Sequence, residues 1–170
     1  MKLKAVVFDL DDTLLDTTRI LVPIAKTPEF HKRIREPLPL IEGAKENLKY
    51  LSSKYDLYLL TMGDIENQKA KIKSLNIQSY FRSIYIANPQ IKETKYIKFQ
   101  QLIVENKYKP SEFISIGNRR STDIRDAKKS GGLTCLFKYG EHLDELAECS
   151  EDIPDYEIQH HNELLKVCSL

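Results

Sequence analysis

Five short apolar segments punctuate this chain: residues 4–9 (KAVVFD), 56–61 (DLYLLT), 83–87 (SIYIA), 113–117 (FISIG) and 133–137 (LTCLF). Each is rich in Val, Ile, Leu, Phe or Tyr and is closely followed by polar residues. Continuous short runs of this kind suit strands covered on both faces, the condition of a mostly parallel sheet. The stretches between them carry helical periodicity. Ala44, Leu48 and Leu51 share a stripe within 43–53, a second helix is expected over 64–75, and Tyr96, Phe99, Leu102 and Ile103 recur at helical spacing within 94–107. Ile124, Ala127 and Lys128 begin a shorter helix that Ser130-Gly131-Gly132 would end. A sixth short strand over 155–159 and a closing helix over 162–167 complete the reading. Alternation of strand and helix predicts an α/β fold: a three-layer α/β/α Rossmann-like core on a central parallel sheet with right-handed crossovers.

With 170 residues, 41% of them hydrophobic, the chain has enough apolar material for one ordinary domain, here expected to span 1–170. The stretch 17–40 stands outside the alternation. It holds Pro23, Pro28, Pro37 and Pro39, which discourage one long helix, so a short insert with a small helix or two is expected. Twenty-six Lys and Arg against twenty-five Asp and Glu leave a formal charge of +1, which argues against a general polyanion binder. The segment HKRIREP is basic but lacks interleaved aromatics. The opening apolar run is broken by acids too soon for a signal peptide or a membrane span, and three cysteines without metal-like spacing read as reduced thiols. A cytoplasmic protein without membrane contact is the resulting expectation.

The first strand runs into VVFDLDDTLLD, where Asp9, Asp11 and Asp12 crowd together. Carboxylates this close raise one another's pKa unless a cation or donor relieves them. In an open parallel sheet, ligands bind beyond the carboxyl ends of the strands. Asp9 and Asp11 close the first strand, Thr61 the second, Lys92 follows the third, Asn118 follows the fourth, and Asp123 lies near the start of the next helix. Asp9 and Asp11, two apart on an extended end, can face one cavity, where a hard divalent cation such as Mg²⁺ would offset their repulsion. Asp12 is read as a structural loop acid, Thr13 as bonded to local backbone, and His142, His160 and His161 as surface or packing residues. Neither GxGxxG nor GxxxxGK[ST] occurs, which removes dinucleotide binding and P-loop chemistry. A receiver domain would need an Asp at the end of the third strand, which reads SIYIAN.

On these residues the chain resembles the haloacid dehalogenase superfamily, whose majority are Mg²⁺-dependent phosphatases. FDLDDTL resembles the first signature, with Asp9 in the nucleophile's position and Asp11 in that of the general acid/base. LLT at 59–61 resembles the second, with Thr61 holding the phosphoryl group. The isolated lysine of the third is placed at Lys92, with Lys95 as its alternative. GNRRSTDIRDA at 117–127 resembles the fourth, with the usual acidic pair replaced by Asn118 and Asp123. The resemblance implies a strand order 5-4-1-2-3, a Mg²⁺ site formed by Asp9, Asp11 through its main-chain oxygen, Asn118 and Asp123, and phosphomonoester hydrolysis through an aspartyl-phosphate on Asp9. Asn118 is neutral where a carboxylate is usual, which motivates a non-catalytic binding or scaffold domain as the alternative. The stretches from Asp16 to Ile41 and from Thr61 to Lys92 are too short for the family's sizeable caps. An uncovered site suits a bulky phosphorylated partner, protein or nucleic acid, or a cover borrowed from a second copy in a homodimer.

Overall fold

The computed structural model describes residues 2–170. Six parallel strands form one sheet: β1 (Ala5–Phe8), β2 (Asp56–Met62), β3 (Ser83–Ala87), β4 (Phe113–Gly117), β5 (Leu133–Phe137) and β6 (Tyr156–Ile158). Their order is β3-β2-β1-β4-β5-β6, which is the expected order read from the other edge with the sixth strand added. β1 is interior, with Val7 paired to Tyr58 on one side and to Ser115 on the other.

Among the described residues seven α-helices accompany the sheet: α1 (Thr17–Ile20), α2 (Pro28–Arg33), α3 (Ala44–Leu51), α4 (Ile65–Leu75), α5 (Lys95–Asn106), α6 (Arg125–Lys129) and α7 (Leu164–Val167). Successive strand residues point to opposite faces, so the central strands β1, β2 and β4 feed two cores. Val6, Phe8, Leu57, Leu59, Ile114 and Ile116 pack with Leu48 and Leu51 of α3, Ile72 and Leu75 of α4 and Leu164 of α7. Ala5, Val7, Tyr58, Leu60 and Phe113 pack with Phe99 and Leu102 of α5 and Ala127 of α6. Two-sided burial is why the strands read as unbroken apolar runs.

Local chemistry sets the helix boundaries. The Asp64 carboxylate caps α4 by accepting from Asn67 N–H at 2.9 Å, and the Thr94 hydroxyl caps α5 by accepting from Ile97 N–H at 3.3 Å. Asn76 and Lys107 end these helices in left-handed conformations, at φ 52° and 55°. The prolines of 17–40 leave only α1, a single 3₁₀ turn and α2. This insert lies along the core: Leu21, Ile34 and Leu38 are buried, the Ser74 hydroxyl donates to the Ile34 carbonyl at 2.7 Å, and Leu38 N–H donates to the Ser74 carbonyl at 3.1 Å. Among the described residues no helix is long and apolar enough to cross a membrane, and Cys135, Cys149 and Cys168 are free thiols.

Candidate active site

The carboxyl ends of β1, β2 and β4 converge on a cavity of about 250 Å³ lined by Asp9, Asp11, Thr61, Asn118 and Asp123 together with Lys95. Asp9 continues β1, its N–H donating to the Ile116 carbonyl at 2.9 Å. The chain then turns sharply. Leu14 and Leu15 N–H groups both return to the Leu10 carbonyl, at 2.9 and 3.0 Å, and Asp12 adopts φ 54°. This left-handed residue makes the turn, and its buried carboxylate binds Thr18 N–H at 2.8 Å, the Thr18 hydroxyl at 2.6 Å and Glu141 N–H at 3.2 Å. The structural reading of Asp12 therefore stands. Thr13 does not act as expected, because its buried hydroxyl oxygen has no partner among the described residues.

Asp9 and Asp123 meet on one cation, Lys95, the alternative that the sequence offered to Lys92. Lys92 ends a 3₁₀ turn at φ 60°, exposed and away from the cavity. Lys95, the first residue of α5, occupies the expected place: its ammonium donates to Asp9 Oδ1 at 2.5 Å and to Asp123 Oδ1, with all three side chains buried. The reason is the cap. Thr94 starts the helix three residues later than a lysine at 92 would require, so residue 95 faces the strand ends.

Burial pushes the Asp9 carboxyl up to about 7, repulsion from Asp123 adds to this, and Lys95 only partly opposes it. Burial also disfavours the Lys95 ammonium, but Asp123 and Asp9 more than offset that and hold it protonated.

Asp123 is placed by a π-turn over Arg120–Ile124, in which Ile124 N–H returns to the Arg119 carbonyl at 3.3 Å. Its Oδ2 accepts from Arg119 N–H at 3.0 Å. Gly117 is required beneath it, since a Cβ there would lie 2.3 Å from Asp123 Cγ. Asn118 donates its amide N–H to the Tyr139 carbonyl at 3.2 Å, which turns its oxygen to the opposite side.

Asp11 faces a different set of partners. Its carboxylate accepts from Lys71 Nζ at 2.7 and 3.0 Å, from Gln68 Nε2 at 2.9 Å and from the Thr17 hydroxyl at 2.5 Å. Burial would raise its pKa, but the Lys71 charge and these hydrogen bonds overcome it and hold it below the usual carboxylate value. The sequence reading missed both α4 residues. Their signal was a polar pair three residues apart on the same helix as Ile72 and Leu75. It also left His142 as a surface or packing residue, whereas Glu141 and His142 line the cavity mouth. His161 does pack: its buried ring binds the Thr13 carbonyl at 2.7 Å and Asn47 Nδ2 at 3.2 Å.

Among the described residues no three acidic, His or Cys side chains gather as a metal cluster, and the Asp11 carboxylate is paired with Lys71. The oxygens that a cation in this cavity could use include two buried carboxylates, Asp9 and Asp123, and the side-chain amide of Asn118. This set is all-oxygen and carries the mutual repulsion of Asp9 and Asp123. It suits Mg²⁺, which takes one or two carboxylates and completes its shell with water and phosphate.

A sequence profile described as haloacid dehalogenase-like hydrolase matches residues 24–137. The chain belongs to this family of hydrolases. It is similar to a glyceraldehyde 3-phosphate phosphatase from Pyrococcus furiosus, at 26% identity, covering 98% of this chain and 93% of that protein. Among solved structures this hydrolase resembles the HAD-hydrolase YfnB of Bacillus subtilis bound to magnesium, at TM-score 0.74 and 19% identity with 98% of each chain covered. It also resembles a predicted phosphoglycolate phosphatase from Haemophilus somnus, at TM-score 0.77 and 16% identity with 98% of each chain covered. These two likenesses concern the fold. The alignment with the Pyrococcus protein runs over 225 positions against 170 in this chain, so that relative carries residues with no counterpart here.

Proposed function

We propose that this hydrolase cleaves phosphomonoesters through a phosphoryl group carried on Asp9. The observation that carries the reading is the meeting of the Asp9 and Asp123 carboxylates on Lys95, with Thr61 and Asn118 lining the same cavity. A Mg²⁺ ion held by Asp9, Asp123, the Asn118 amide and the Asp11 main-chain oxygen would supply Lewis-acid polarisation of the phosphoryl oxygens. Lys95 adds a fixed positive charge on the same side, and the Thr61 hydroxyl donates to a phosphoryl oxygen, so that phosphorus is held in line with Asp9.

In the first step an Asp9 oxygen forms a bond to phosphorus as the ester P–O bond breaks, and the departing oxygen takes a proton from Asp11. Asp11 rests ionised against Lys71. The negative charge of the arriving phosphate raises its proton affinity, so it takes the proton of a substrate that binds as the monoanion and passes that proton to the departing oxygen. In the second step the Asp11 carboxylate draws a proton from water as that water attacks phosphorus, releasing phosphate and regenerating Asp9. This second role needs the ionised form in which Asp11 is held.

A compact substrate is the better fit. A cavity of about 250 Å³ accommodates a phosphate and a small organic group, and the Pyrococcus relative is named for a three-carbon phosphate. The bulky partner and the borrowed cover rest only on the shortness of the insert. Asp9, Asp11, Thr61 and Asp123 in one cavity speak against the scaffold alternative.

The test incubates wild type, Asp9→Asn and Asp11→Asn with Mg²⁺ and a panel of small sugar phosphates, nucleotides, phosphopeptides and end-phosphorylated oligonucleotides. Phosphate release and covalent mass increase are followed together. Asp11→Asn should lose about 10²-fold or more in turnover while still accumulating phosphoprotein. Undiminished release by Asp9→Asn would overturn the mechanism, and preference for oligonucleotides or phosphopeptides would overturn the substrate size.

A further inference from the structure

Gln68 lies on the first turns of α4, only 2% exposed, and its amide nitrogen sits 2.9 Å from each of three acceptors: Asp11 Oδ2, Thr61 Oγ1 and the Met62 carbonyl. The orientation of the amide is decided by these neighbours. A carboxylate and a carbonyl can only accept, so the amide must present its N–H₂ to them. The opposite end of the same amide, Oε1, is buried without a partner among the described residues. A buried acceptor left unpaired works against stability, and an apolar side chain of similar length would avoid that cost. The residue is therefore arranged for what its nitrogen does. Backbone geometry supports this placement, because Gly63 at φ 154° leaves room against Gln68, where a Cβ would come within 3.1 Å of Nε2.

We propose that Gln68 is a positioning residue that couples two catalytic groups, orienting the Thr61 hydroxyl toward the phosphoryl group and holding the Asp11 carboxylate at the leaving-group side. Thr61 is 1% exposed, so the direction of its hydroxyl proton is set by its immediate neighbours. With Nε2–H filling an acceptor position on Oγ1, the hydroxyl's own proton points away from Gln68 and into the cavity, where it can donate to a phosphoryl oxygen. The amide has two hydrogens for three acceptors. Drawing the Thr61 proton toward phosphate makes Oγ1 a better acceptor, which shifts a Gln68 hydrogen toward it. Lys71 retains Asp11 through two contacts of its own. Arrival of phosphate at Thr61 is thereby felt at Asp11 through one side chain.

This inference rests on the phosphatase reading but is testable without turnover. The full chain is compared with Gln68→Leu, Gln68→Glu, Thr61→Val and the Gln68→Leu/Thr61→Val double variant, all in Mg²⁺. Binding of inorganic phosphate is measured by calorimetry, kcat and KM with p-nitrophenyl phosphate, and thermal stability by circular dichroism. Gln68→Leu should weaken phosphate binding about tenfold and lower kcat more than it raises KM, with the melting temperature reporting separately on the acceptors it leaves without a donor. The double variant should bind phosphate no more weakly than Thr61→Val alone, since the amide acts through that hydroxyl. Gln68→Glu keeps the shape but accepts the Thr61 proton, and should lose phosphate binding at least as far; it decides the question if the leucine variant does not fold. Wild-type phosphate affinity in a folded Gln68 variant, or losses that add in the double variant, would overturn the proposal. Absence of Asp9-dependent phosphate release from wild type would count against the phosphatase reading, while the calorimetry would still decide the role of Gln68.

Discussion

Replacing Lys95 by methionine keeps the length of the side chain and removes its charge. In the native protein this ammonium is 4% exposed and lies between Asp9 and Asp123, which are 7% and 2% exposed. Deleting one partner of a buried ionic group leaves the others uncompensated, at a cost of about 3–5 kcal/mol. For a domain of this size that corresponds to a fall of roughly 6–20 °C in melting temperature. Two conditions should shrink the loss. At pH 5 Asp9 is protonated and the repulsion disappears, and at pH 8 added Mg²⁺ replaces the missing cation. Lys92→Met, on an exposed turn, should change stability by less than about 0.5 kcal/mol under every condition. The assay is thermal unfolding by circular dichroism at both pH values with and without Mg²⁺, paired with phosphate release. If Lys92→Met costs as much as Lys95→Met, or if the Lys95→Met loss is the same at pH 5 and pH 8, the charge-pair reasoning is refuted.

Other outcomes follow from the same geometry. The folded-state pKa of Asp9 is about 7 against an ordinary value of 3.8, so between those values the native protein binds a proton that the unfolded chain has lost. Without Mg²⁺, stability should therefore decline as pH rises through that window, by on the order of 4 kcal/mol, and stay level above it. Urea titrations should show this slope vanish in Asp9→Asn. Asp11, shifted downward by Lys71, contributes in the opposite sense, its stabilisation being lost only as pH falls below 3.8. Gly117→Ala would drive a Cβ into Asp123, and displacement of that carboxylate by about 1 Å should cost about 10² in turnover, measurable as phosphate release at saturating Mg²⁺. Thr13→Val removes a buried hydroxyl without a partner and should be neutral or stabilising by up to about 1 kcal/mol in urea unfolding.

The amino-acid sequence by itself determined the alternation of strands and helices, the crowding of carboxylates at the end of β1, and the residue types that gather beyond the sheet. These are local properties: burial on both faces demands unbroken apolar runs, and caps such as Asp64 and Thr94 act within a few residues. SIYIA, FISIG and LTCLF are strands over the very residues read from the sequence. Tertiary structure alone decided which cations meet which carboxylates. Lys92 and Lys95 differ by less than one helical turn, and only the start of α5 at Lys95, facing Asp9 from 86 positions away in the chain, selects between them. Lys71 and Gln68 looked like ordinary polar residues of an exposed helix until α4 was laid on the sheet, where both turn inward to Asp11. Burial gives these contacts their strength, since a charge or amide removed from water must be met by a partner, and that partner is supplied by whichever element the fold brings alongside.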